Sequence, residues 1–141
     1  MTAMRKPVIL IALAVLLAAP AVRADSEATD AVVEAATVWL ALVDSGEYEE
    51  SWDEAADYFQ NAVTKENWVR SLNAARKPLG ELGSREVKSA DYKTALPGAP
   101  DGEYVLMQFT TSFSAKSEAV ETVTFMAEPD GQWKMAGYFI K

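Results

Sequence analysis

The chain has 141 residues, a formal net charge of −8, no Cys and no His, and its 50% hydrophobic content suits one folded domain rather than a disordered polymer. Those absences exclude disulfides, lipid attachment through Cys, the usual zinc, copper and haem ligand sets, and triads of the Ser-His-acid or Cys-His kind. The acidic balance argues against nucleic acid and anionic lipid as partners, because both reward clustered Lys and Arg.

The first segment reads as an export signal. Arg5 and Lys6 precede an apolar run from Val8 to Val22, and Val22-Arg23-Ala24 places small residues where a signal peptidase reads, so cleavage is expected after Ala24. The run contains Pro20 and is shorter than the roughly 20 residues a spanning helix needs, which argues against a stable membrane anchor. Residues 25–141 then form a single periplasmic or secreted α+β domain. Its charge is −11, because the signal removes Arg5, Lys6 and Arg23 but no acid.

Three helices are predicted next. Val32, Ala35, Ala36, Trp39, Leu42 and Val43 recur at the spacing of one helix face over 30–43, with Asp30 as a cap and Asp44-Ser45-Gly46 as the stop. Tyr48, Trp52, Ala55, Ala56 and Phe59 repeat that spacing in a second helix, while Glu49, Glu50, Asp53, Glu54 and Asp57 form a solvated face. These acids lack the spacing of a calcium loop, and no metal site is assigned. Thr64 caps a third helix with Trp68, Leu72 and Ala75 on its stripe, closed by Pro78 and Gly80. Trp39, Trp52 and Trp68 all read as core.

After Gly83 the pattern becomes alternation, and a four-stranded antiparallel curved sheet is expected, with the three helices on one face. The first strand spans about 85–96, and Pro97 to Gly102 is turn chemistry. Val105, Met107, Phe109, Thr111 and Phe113 take the core face of the second strand. The third strand covers 119–127, and Glu128-Pro129-Asp130-Gly131-Gln132 reads as a hairpin turn that sets Ala127 against Trp133, Phe125 against Met135, Val123 against Gly137 and Glu121 against Phe139. A three-residue loop at Ala115-Lys116-Ser117 sets Phe113 against Ala119, Thr111 against Glu121 and Phe109 against Val123.

This register places Glu121 on the inner face, beside Thr111 and the gap left by Gly137. A carboxylate there needs a partner or a raised pKa. Arg76 is the expected partner, with Arg85 or Lys116 as substitutes. The group is either a structural ion pair or the polar anchor of a small ligand pocket. A Ser-Lys dyad from Ser112, Ser114 or Ser117 with Lys116 would need a buried geometry that a hairpin tip does not offer.

The chain resembles the bacterial family of exported proteins known as domain of unknown function 4019. The likeness runs through Trp39 to Tyr48, Trp52, Trp68, Arg76 to Gly80, Arg85, Leu96 to Tyr104, Phe109, Phe113, Lys116, Glu121-Thr122-Val123, Asp130 to Trp133 and Gly137-Tyr138. The family implies no activity, substrate, cofactor or catalytic residue. The architecture is also similar to the helix-on-curved-sheet folds of nuclear transport factor 2 and the cystatins, though no strand pair is found between the second and third helices. Fold alone does not choose a function. The expected role is a non-enzymatic binding or protein-interaction module, pairing with itself through the outer sheet face or with an envelope protein. The alternatives are a carboxylate-based enzyme with Glu121 as general acid or base, and a structural envelope protein.

Overall fold

The computed structural model describes residues 21–141, with side chains from Glu27 onward. The expected export signal and its cleavage point lie outside the residues whose side chains are described. No helix among the described residues is long and apolar enough to cross a membrane.

Helix α1 spans Ala21–Asp44, starting well before the expected Asp30 cap. Residues 21–29 contain neither Gly nor Pro, so nothing stops the helix from running through them. Val32, Ala36, Trp39 and Val43 are buried, as the spacing predicts for a core-facing stripe, while Ala35 and Leu42 are half-buried and Leu40, outside the expected stripe, is buried as well. The helix closes as a Schellman turn. Gly46, at φ 79°, donates to Val43, and Glu47 donates to Leu42 at 2.9 Å.

The single second helix expected from Tyr48 to Phe59 is two short ones, α2 (Tyr48–Asp53) and α3 (Asp57–Ala62). Ala56 between them is extended, and its N–H donates to the Met135 carbonyl at 2.8 Å. The break thus exchanges a helical bond for one to the sheet and buries Ala55 and Ala56 fully. Periodicity alone does not reveal it, because the apolar residues on both sides keep helical spacing. Helix α4 spans Lys65–Ala75, with the Thr64 hydroxyl accepting from the Asn67 N–H at 3.2 Å. A 3₁₀ turn, Lys77–Leu79, follows where Pro78 forbids further α-helix.

Four strands, β1 (Leu82–Lys93), β2 (Tyr104–Phe113), β3 (Lys116–Ala127) and β4 (Trp133–Ile140), form one antiparallel sheet in chain order. Helix α1 lies across all four. Its stripe meets Val105, Met107, Phe109, Val123, Phe125 and Met135 in a core that also takes Phe59, Trp68 and Leu72, while Trp52 packs half-buried at its margin. Each fully buried side chain of this size contributes about 1.5–3 kcal/mol. The expected α+β class is therefore observed.

Two register expectations are corrected. The β2–β3 loop is Ser114-Ala115, so Phe109 opposes Glu121, Met107 opposes Val123 and Thr111 opposes Ala119. The slip is two residues, and a two-residue slip keeps every side chain on its expected face. In the β3–β4 pair, Ala127–Trp133 and Phe125–Met135 are as expected, but a bulge at Ala136 shifts the later pairs. Val123 opposes Tyr138 and Glu121 opposes Ile140. The extra residue swaps faces beyond it, so Tyr138 turns inward and Phe139 is 58% exposed.

Candidate functional site

Glu121 is the centre of a polar cluster inside this apolar frame. Its side chain is 0% exposed, on the β3 face that meets α1. Arg85 on β1 is the cation that reaches it: Nε donates to Oε1 at 2.6 Å and Nη2 to Oε2 at 3.1 Å. The Thr111 hydroxyl donates to Oε1 at 2.6 Å, and the Tyr138 hydroxyl donates to Oε2. A carboxylate accepts about four hydrogen bonds, and Glu121 has four.

The other edge of the Arg85 guanidinium meets Asp44, the last residue of α1. Nη1 donates to Oδ2 at 2.8 Å and Nη2 to Oδ1 at 2.9 Å. Arg76, the C-cap of α4, reaches the same carboxylate at 3.3 Å and the Gly80 carbonyl at 2.6 Å. Its guanidinium lies 4.4 Å over the Phe113 ring, and its buried Nε has no hydrogen-bond partner among the described residues. Asp44 therefore sits where a helix dipole disfavours an acid, and Arg76 where it favours a cation; their mutual contact satisfies both ends. Two acids and two guanidiniums make the cluster neutral overall.

Gly80 holds the geometry together. Its φ of 78° suits Gly alone, and a Cβ there would lie 2.0 Å from the Ser114 hydroxyl. Ser114 and Ala115 at the β2–β3 tip bond to Glu81 and Leu79, which anchors the end of α4 to the sheet.

Burial drives the Tyr138 hydroxyl upward, and the adjoining Glu121 charge and hydrogen bond push it further, so the phenol stays protonated well beyond its ordinary range. Burial alone would lower the Arg85 guanidinium. The hydrogen bonds to Asp44 and Glu121 outweigh it and raise Arg85 instead.

Of the expected site residues, Glu121 and Thr111 come together as foreseen. Arg76 joins the cluster through Asp44 but does not touch Glu121; the substitute, Arg85, takes that place. Lys116 pairs with Phe113 at the hairpin and forms no ion pair among the described residues. Gly137 opposes Thr124, and a Cβ there would make ordinary contact with it at 3.8 Å, so it leaves no gap beside Glu121. The bulge at Ala136 is the reason. Asp44 and Tyr138 are the members that sequence reasoning missed. An acid at a helix C-terminus was the available signal for Asp44, since it demands a nearby cation. Tyr138 gave none, because only the bulge turns it inward.

A second polar knot lies under α2. The Trp39 indole donates to the Ser51 carbonyl at 2.9 Å, the Trp68 indole to the Ser51 hydroxyl at 3.0 Å, and that hydroxyl to the Tyr48 carbonyl at 2.6 Å. Trp39, Trp68 and Tyr138 pack with ring centroids 5.4–6.4 Å apart, so this knot abuts the ionic cluster through the Tyr138 ring.

Comparison with known proteins places the chain in a family. Residues 35–138 match the family described as "Protein of unknown function (DUF4019)", and the chain belongs to it. No curated protein matches. A solved structure from Catenulispora acidiphila is similar in fold, with a TM-score of 0.53 and 14% identity over 85% of this chain and 93% of that one.

Proposed function

We propose that the protein is an exported, non-enzymatic interaction module whose buried ionic cluster is a structural clamp. One observation supports this reading above the others: all four acceptor positions of Glu121 are occupied and its side chain is sealed from solvent. A general acid or base needs a proton path to substrate, and an anchor needs a free lone pair. Glu121 offers neither. The cluster instead ties the end of α1, the end of α4 and strands β1, β3 and β4 into one unit.

Binding is then a matter of the surface, where the sheet face away from the helices carries half-buried Leu106, Val120 and Met126 and the exposed Phe139 among polar neighbours. Export rests on the Arg5-Lys6 charge, the apolar run and the small residues ending at Ala24. Mass spectrometry of the protein recovered from the extracytoplasmic fraction tests both parts. An N-terminus at Asp25, with a crosslinked partner or a second copy, is the expected result. A full-length chain in the cytoplasm rejects export, and an exported monomer that captures nothing rejects the interaction role.

A further inference from the structure

The two edges of the sheet are built differently. Strand β1 is irregular, with register shifts at Leu82/Ser84 and Val87/Ser89, and it carries Arg85, Glu86, Lys88, Asp91 and Lys93. Bulges and charges of this kind keep an edge from pairing with another chain. Strand β4 has neither over its last four residues, Gly137-Tyr138-Phe139-Ile140.

Backbone direction there follows from the ladder. Lys141 and Val120 exchange both N–H···O bonds, at 2.9 and 3.0 Å. Alternation in an antiparallel pair then points the Phe139 groups toward β3 and the N–H and C=O of Tyr138 and Ile140 away from it. These four outward groups have no partner among the described residues. The Ala56 N–H covers the edge at Met135, but that contact stops before the bulge. Beside the bare stretch runs an apolar slot of about 170 Å³ between β4 and α4, lined by Trp68, Leu72, Ala75, Tyr138 and Ile140.

We propose that this edge pairs with the same edge of a second copy, joining two four-stranded sheets about a two-fold axis at Phe139. The match is self-complementary. Tyr138 of each copy falls opposite Ile140 of the other, and these outward-facing residues exchange all their backbone bonds. Ile140 of one copy enters the slot of the other, and the two exposed Phe139 rings meet on the outer face as a close cross-strand pair. Lys141 falls opposite Gly137, so no like charges confront each other across the axis. Ser71 and Ala75, exposed and small, leave room for the helices beside the seam. The seam also avoids the acidic part of the molecule: β4 and Lys141 together carry two lysines and no acid. This contact differs from pairing through the outer face, and it requires neither export nor any other partner.

Sedimentation equilibrium and amide exchange on residues 25–141 test it, at about 0.15 M salt where the Debye length is about 8 Å. The expected result is a dimer that dissociates on dilution, with the Tyr138 and Ile140 amides protected only in the dimer. Ile140→Pro removes one outward N–H while leaving both flanking bonds to β3, and Phe139→Glu sets two carboxylates face to face. Each is expected to halve the mass with the circular dichroism spectrum retained. Leu106→Glu, on the outer face but away from the edge, is expected to remain dimeric. A wild-type monomer overturns the proposal, including one that carries an extended foreign peptide on this edge. So does a dimer that survives both edge variants, or one that Leu106→Glu abolishes.

Discussion

Glu121 and Arg85 are joined so closely that neither can be altered without stranding the other. Glu121→Gln keeps one acceptor oxygen but turns an amide NH₂ toward donors, leaving Arg85 with one acid where it had two. Breaking a buried pair in this way costs roughly 3–5 kcal/mol. The expected outcome in urea denaturation is a midpoint lowered accordingly, with the native spectrum retained in buffer. Arg85→Lys is expected to lose nearly as much, because an ammonium cannot present the planar fork that meets Asp44 and Glu121 on two edges. Tyr138 adds a pH dependence. Its hydroxyl is held protonated in the fold, so its folded pKa lies above its unfolded value. The stabilisation is fully present below the unfolded value, about 10, and declines as pH rises above it, because only the unfolded chain then releases the proton. Denaturation at neutral pH and at about pH 11 is expected to show a fall in stability that Tyr138→Phe reduces, while absorbance titration shows this phenol ionising only on unfolding.

At the scale of the element, the short α2 owes its place to side chains from its neighbours. Ser51 accepts from Trp39 and Trp68 and donates to Tyr48. Ser51→Ala leaves the Trp68 indole N–H buried without a partner, a loss of about 1–3 kcal/mol, and tryptophan fluorescence during urea unfolding is the direct measure. This knot also marks how far the sequence could be read. The spacing of Val32, Ala36, Trp39 and Val43 identifies α1 and its buried face, and Thr64 marks the start of α4, because caps and stripes are local signals. Strand faces follow from alternation, which is why Glu121 is recognisable as a buried acid among Val123, Phe125 and Phe109. The features that escape have no local signature: the break at Ala56, made for a bond to Met135, and the bulge at Ala136, which brings in Tyr138 and removes Gly137. Arg76 and Arg85 were both plausible partners for Glu121, and only the path of β1 beside β2 decides between them.

Charge is unevenly divided over the whole molecule. Residues 25–80 hold twelve acids against four bases, and residues 81–141 hold nine against six. The helical layer therefore repels itself more than the sheet does, and salt relieves that repulsion. The melting temperature is expected to rise between about 0.01 M and 0.15 M salt, over which the Debye length falls from about 30 Å to about 8 Å; scanning calorimetry checks it. A chain ending at Gln132 is expected to show no cooperative transition in the same measurement, since it lacks Met135 in the core and Tyr138 on Glu121.

Helix α1 is made first, but the sheet it covers is complete only when β4 exists. A ribosome releasing this chain from its N-terminus thus releases an amphipathic helix with no surface to land on, followed by strands that can pair only in succession. Before β4 is added, a partial sheet lacks the burial that Trp133 and Met135 bring to the core, while each ordered residue already costs backbone entropy. Folding is therefore expected to complete only once β4 has been added, since Met135 closes the core and Tyr138 completes the bonds to Glu121.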